Sequence, residues 1–309
     1  QKSMGGGEGG GKGGGGGEES AVAAKQRADA ENQRLAASAQ GTEEGSRALG
    51  TQFRQAAATK DKVIATDVAP PLGSGAGKMA TAGQGQSAAK STLDQASASL
   101  GAAHEGIRGA NQATDLQARG NKAYVKASQA YINSLNIQTP PPPPPGGQAL
   151  NTGADAQGPL SKADAGLKKA DATIGQASQV AATLPNDLRL ESSKLEKVVN
   201  QRVGSENAAM YSAFRETVGE FGKHESTLQD GNEQTAAAIQ SHASASAKTV
   251  AAKQAAEAAN KDAVGLKLEL QGFDKELKSQ AAELMMIALE DKPIQFSLEP
   301  LAQMRAREL

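Results

Sequence analysis

The clearest order in the chain is a stripe of apolar positions spaced alternately three and four residues apart. Leu93, Ala96, Leu100, Ala103, Ile107, Ala110 and Thr114 follow this rhythm, and it continues less strictly through Tyr124, Ala127, Tyr131 and Leu135. Such spacing keeps one face of an α-helix apolar, and a seven-residue period suits helices lying side by side. It predicts a long helix over 87–138. A second stripe, Leu160, Ala163, Leu167, Ala170, Ile174, Ala177, Ala181 and Leu184, predicts another helix, with Ser161 and Asp164 at a capping spacing and Pro185 as its stop. Shifted by 67 residues, Leu93, Ala96, Ala98, Leu100, Ala103, Ile107 and Ala110 fall on Leu160, Ala163, Ala165, Leu167, Ala170, Ile174 and Ala177. Identity in one register implies a structural repeat, and coincidence in an alanine-rich chain is its rival.

The remaining segments carry the pattern more weakly. From 18 to 71 the large apolar residues are few (Val22, Leu35, Leu49, Phe53, Val63 and Ile64), and Gly41, Gly45 and Gly50 interrupt them. This predicts a weak helical segment, broken in the middle and ended by Pro70-Pro71. After Asn186 or Asp187 as a cap, Leu188, Leu195, Val198, Val199, Val203, Met210, Phe214, Val218, Phe221 and Leu228 predict one helix that Gly231 breaks. Ile239, Val250, Val264 and Leu268 mark its resumption among long alanine stretches, and Phe273, Leu277, Ala281, Leu284 and Ile287 a final amphipathic helix. Together 159–292 is expected to form a helical hairpin or bundle.

Punctuation separates these elements. Residues 1–17 form a Gly-rich flexible linker, with 11 Gly among positions 5–17. Residues 72–86 form a Gly/Ser loop that superficially resembles a phosphate-binding loop; Leu72 stands where the first Gly belongs and Met79 where Ser or Thr belongs. Pro140 to Pro145 place a stiff polyproline linker over 139–158. Residues 293–300, alternating apolar and polar between Pro293 and Pro300, predict an extended segment, and 301–309 a helix start. Both ends stop in mid-phrase, so the chain is expected to be an excerpt of a longer, bacterial-type protein.

Composition changes the energetic picture. The 309 residues include 60 Ala against only 48 Leu, Ile, Val and Phe together, with no Trp. A buried Leu or Ile contributes about 1.5–3 kcal/mol, and Ala much less. Stripes that alternate Leu with Ala therefore stabilise modestly per turn, while Ala favours the helix and lets backbones approach. The expected fold class is all-α: elongated, coiled-coil-like helical hairpins joined by Gly- and Pro-rich linkers and partly disordered.

Candidate chemistry is sparse. Thirty-three Lys and Arg balance 34 Asp and Glu, so the net charge of −1 implies no attraction to nucleic acid. The absence of Cys removes disulfides, thiolate nucleophiles and Cys-based zinc sites, and is compatible with export. No apolar run approaches a transmembrane span, and no signal peptide is visible, so the localisation stays unknown. His104, His224 and His242 are isolated and are expected to be solvated; Glu18-Glu19 and Glu43-Glu44 lie in polar stretches. No catalytic, cofactor-binding or metal residue is predicted.

In texture the chain is similar to helical stretches of very large bacterial secreted or injection-system proteins. The expected function is a non-catalytic helical scaffold, spacer or interaction module. Its partners are other proteins or other parts of the parent chain, and the Ala/Leu stripes are available for self-association. The alternative is a helical region of a toxin or secreted delivery protein that acts at membranes.

Overall fold

A computed structural model describes residues 15–135, 143–151, 153 and 155–288. Its elements are α1 (Gly15–Ala58), α2 (Ala69–Ser134), α3 (Gln157–Ala182), α4 (Arg189–Asn200) and α5 (Ala208–Ala288), with a π-helical turn at Ile64–Val68 and a 3₁₀ turn at Gly147–Asn151. The fold is all-α, and no strand occurs among the described residues. The chain divides into two compact units. One comprises 21–101 and 166–248, the other 1–20, 102–165 and 249–309.

In the unit of 21–101 and 166–248, α1 runs antiparallel to α2. Asn32 donates to Asp94 (2.5 Å) and Ser46 to the Ala76 carbonyl (2.9 Å). The α5 portion lies antiparallel to α1, pairing Gln234 with Glu31, while Gly41 faces Thr227. It lies parallel to α2, because Gly75 faces Phe221 and Gln86 bonds Asn232. The α3 portion closes the arrangement: Ile174 and Ala177 share a core cluster with Leu35, Ala89, Leu93, Ala96 and Ala238. A larger cluster forms around Leu49, Leu72, Met79, Leu188, Leu195, Phe214, Phe221 and Leu228. In the other unit, α2 and α3 run antiparallel, since Gly106 faces Pro159 and Ala163 while Gly153 faces Gln117. There α5 again lies parallel to α2, and Tyr124, Tyr131, Leu150, Leu270, Phe273 and Leu277 build the core.

The predicted stripes are buried. Leu93, Ala96, Leu100, Ala103, Ile107 and Ala110 of α2 and Leu160, Ala163, Leu167, Ala170, Ile174 and Ala177 of α3 are all enclosed. The matching residues Ala98 and Ala165 are both exposed, so the repeat covers the contact faces and the outer side alike. Beyond Thr114 the same register continues through Gln117, Asn121, Tyr124, Ser128 and Tyr131, so Ser128 is buried and the expected Ala127 is exposed.

Several expectations fail, each for a local reason. Residues 72–86 are not a Gly/Ser loop; they lie inside α2. Pro70 and Pro71 do not end the preceding helix, which stops at Ala58; they lie inside a helical run that begins at Lys62 and passes through the π turn into α2. The wider π turn just before them is closed by the Ala69 N–H on the Ile64 carbonyl. Asp61 anchors the turn, accepting from the N–H groups of Val63 (2.9 Å) and Ile64 (3.2 Å). The weak segment 18–71 is one unbroken helix to Ala58, with Gly41, Gly45 and Gly50 inside it. The helix expected from Leu188 through Leu228 is interrupted at 201–207, where Gly204 takes a φ of +87° that an L side chain disfavours. Gly231, expected as a breaker, is buried inside α5; a Cβ there would lie 2.3 Å from the Gln86 amide, so its bareness makes room for that side chain.

The Gly-rich linker of 1–17 becomes helical from Gly15, and its first fourteen residues lie outside the described ones. The later half of the 139–158 linker is no free spacer. Leu150 is fully buried, its carbonyl accepts from Gln117 (3.0 Å), and α3 already begins at Gln157, whose N–H Asp155 accepts (2.9 Å). Residues 136–142, the extended segment 293–300 and the helix start 301–309 lie outside the described residues.

Close backbone approach also explains Gly106. A Cβ there would come within 2.6 Å of the Pro159 carbonyl oxygen and 2.8 Å of the Ala163 nitrogen. Gly106→Ala should therefore destabilise by about 1–3 kcal/mol, although helix propensity alone favours Ala by up to about 1 kcal/mol. Urea denaturation followed by circular dichroism checks the sign, and a stabilised variant would contradict the close approach. Ala103→Leu and Ala170→Leu should each cost a similar about 1–3 kcal/mol through overpacking. Neutral values for both would mean that these fully buried alanines do not sit at contacts.

Candidate functional site

The most unusual chemistry lies inside the helix packing rather than in an open site. Along α5 the core face repeats every seven residues. In the first unit this row is Phe214, Phe221, Leu228, Thr235 and His242; in the second it is Thr249, Ala256, Ala263, Leu270 and Leu277. Along α2 it is Leu72, Met79, Gln86, Leu93 and Leu100, then Ile107, Thr114, Asn121 and Ser128. Polar side chains thus take positions that periodicity reserves for apolar ones. The large apolar residues expected to mark α5 do the reverse: Val264 and Leu268 are exposed, while Ala238, Ala245 and Ala252 are buried. Val264 and Leu268 are outward because they fall off this row, while the alanines fall on the buried face.

Most of the buried polar groups are paired. In the unit of 102–165 and 249–309, the Gln117 amide donates to Asn121 (2.8 Å) as well as to the Leu150 carbonyl, and Asn121 donates to the Ala263 carbonyl (3.1 Å). One turn on, the buried Tyr124 hydroxyl donates to Asp274 (3.3 Å), which Lys278 also holds (2.5 Å). Burial, with the Asp274 charge beside it, pushes the Tyr124 phenol well above its ordinary range. Lys253 bridges Glu257 (2.8 Å) and Asp164 (3.3 Å), and its bond to Glu257 leads in holding the ammonium above its usual value. His104 is hydrogen-bonded to Thr249 (2.8 Å).

In the unit of 21–101 and 166–248, Glu191 is nearly enclosed, and Lys78 (3.2 Å) and Lys194 (3.4 Å) neutralise it. Burial would raise its carboxyl, but hydrogen bonds from Lys78 and Ser74 and the lysine charges outweigh that and hold it below the usual range. An amide ladder runs from buried Gln86 to Asn232 (3.4 Å) and on to Asn186 (2.7 Å). Asn186 and Asn232 also line a cleft of about 370 Å³ with Ser178, Ala181, Leu184, Ala236, Ile239 and Gln240.

The histidines depart from the expectation of solvated residues. His242 is fully buried, and neither ring nitrogen has a hydrogen-bond partner. His224 lies beside Gly45 and Met79. Burial lowers both imidazoles below their ordinary value. The signal that finds His242 is its register, seven residues from both Thr235 and Thr249. The acidic pairs are engaged on the surface: Glu43 with Arg47 (3.4 Å), Glu44 with Gln40 (3.0 Å) and Glu18 with Asn111 (2.9 Å).

Several of these hydrogen bonds and ion pairs join one helix to another, as with Asn121 to Ala263 and Lys78 to Glu191. Among the described residues no group of three His, Cys, Asp or Glu is placed to hold a metal. No family model, curated protein or solved structure compared with the chain matches it.

The Lys78–Glu191 pair generates an asymmetric prediction. Lys78→Met leaves the buried carboxylate to the more exposed Lys194 and should cost about 1–3 kcal/mol, whereas Glu191→Leu leaves only partly exposed ammonium groups and should cost less. Thermal denaturation at pH 7 compares the two, and the reverse order would contradict the pairing.

Proposed function

We propose that the chain is a non-catalytic helical scaffold or interaction module of a larger protein. One observation carries this reading: the regularly spaced faces of α1, α2, α3 and α5 are used in packing against one another. The polar groups within those faces are spent on helix alignment, as in the Gln117–Asn121 and Tyr124–Asp274–Lys278 networks. A buried network that is fully paired favours one register over its slipped alternatives.

The same packing narrows how partners are engaged. The Ala/Leu stripes offered by the sequence for self-association are enclosed within the chain's own units. A protein partner would therefore meet outward residues such as Leu116, Leu190, Val203, Val264 and Leu268. The proline segment serves this scaffold as a connector between antiparallel neighbours, since the chain after it docks at Leu150 and Gly153 against α2.

No described helix is long and apolar enough to cross a membrane. The test that separates the scaffold from a membrane-acting region is vesicle co-sedimentation alongside circular dichroism. A scaffold stays helical in buffer and remains in the supernatant with both zwitterionic and anionic vesicles. Sedimentation with vesicles, accompanied by a change in the helical spectrum, would favour the membrane-acting reading instead. Hydrolytic turnover by the purified chain would overturn the non-catalytic reading.

A further inference from the structure

His242 occupies a core position on α5 within the unit of 21–101 and 166–248, and no part of it reaches solvent. Its neighbours at the seven-residue and half-repeat positions are Thr235, Ala238 and Ala245, all buried. Nδ1 and Nε2 both lack a hydrogen-bond partner among the described residues. A neutral imidazole normally satisfies one donor and one acceptor; a protonated ring carries two donors and a charge. The neutral ring is therefore under-satisfied here, and the charged ring more so.

The charged groups around it are already committed. From α1 come Lys25 and Asp29, paired with one another at 2.8 Å, and Asp29 also accepts from Ser97. From α2 comes Asp94, held by Asn32 (2.5 Å) and Lys90 (2.6 Å). From α3 comes Asp171, which accepts from Ser246, one turn along α5 from His242. None of these carboxylates hydrogen-bonds the imidazole.

We propose that His242 is an acid-sensitive latch, whose neutral ring completes the core of this unit and whose protonation opens the helix packing around it.

The direction of the pH dependence follows. Burial lowers the imidazole against the attraction of Asp29 and Asp94, with Lys25 opposing protonation as well. The opened chain then binds a proton more readily than the packed one. Stability is complete above the ordinary imidazole value of about 6.5 and falls as pH drops below it. Each pH unit in that window raises the opening equilibrium by up to about tenfold for one fully coupled proton. Carboxylates titrate lower, so the window from about 7.5 to 5.5 isolates the histidines. His224 shares the unit and the direction, with burial again the leading cause, and adds its own share. This latch goes beyond the scaffold reading and does not depend on it.

The test is urea denaturation of the full chain at pH 7.5 and 5.5, followed by circular dichroism, for wild type, His242→Thr, His242→Leu and His224→Gln. His242→Thr continues the Thr235 and Thr249 row, so it guards against misfolding of the larger apolar replacement. The expected result is a clear loss of stability of the wild type at pH 5.5. Both His242 variants should shed about tenfold of the acid-induced rise in the unfolding constant and keep the His224 share, and His224→Gln should keep the His242 share. Imidazole resonances of the wild type supply a readout independent of any variant: the His242 signal should titrate only together with loss of native amide peaks. Unchanged pH dependence in a folded His242 variant, or titration of His242 near pH 6.5 in an intact bundle, would overturn the proposal.

Discussion

Close approach of helix backbones is the constraint on which the rest depends. With few large apolar side chains, the helices cannot gain much from each buried contact, and so they gain from many contacts at short range. Alanine at alternate core positions, and glycine at the tightest ones, makes that possible. Gly106 against the Pro159 carbonyl and Gly75 against Phe221 show the two forms this takes, backbone on backbone and backbone on ring. The register of that packing decides which residues turn outward. Val264 and Leu268 lie at the surface because they fall off the core row of α5, which runs through Ala263 and Leu270.

Rows of small residues leave helices free to slip past one another, because Ala against Ala looks much the same one heptad along. Polar side chains at core positions remove that freedom. Gln117 and Asn121 reach specific carbonyls, and Tyr124 reaches a specific carboxylate. Each is satisfied in one register and orphaned in the next, so desolvation penalises the slipped state. His242 departs from this rule, since its ring nitrogens lack partners. It is the point where packing is most easily upset by a change of charge.

The helical class and the core faces of α2 and α3 were legible because their stripes combine Leu and Ile with regular spacing. What escaped was helix continuity through glycine and proline. Residues 72–86 and the stretch around Gly231 carry helix-breaking residues, but tertiary packing overrides propensity when a missing Cβ is what lets a neighbour in. The α5 core was misjudged for a related reason: weighting residues by size selects Val250, Val264 and Leu268, while the buried register runs through Thr235, His242 and Thr249. The polar networks join residues far apart in sequence, as with Asn121 and Ala263, and no local pattern announces them. Function was the least legible, because a face used for packing leaves no chemical signature.

The claim that missing side chains are structural complements is tested most directly at Gly231 and Gln86. The three atoms nearest a Cβ placed on Gly231 all belong to Gln86, at 2.3 to 3.0 Å. A double-mutant cycle from urea denaturation measures the coupling. The account predicts that Gly231→Ala destabilises the wild-type chain but stabilises a Gln86→Ala background, where only the helix propensity gain of up to about 1 kcal/mol remains. The same effect of Gly231→Ala in both backgrounds would contradict it.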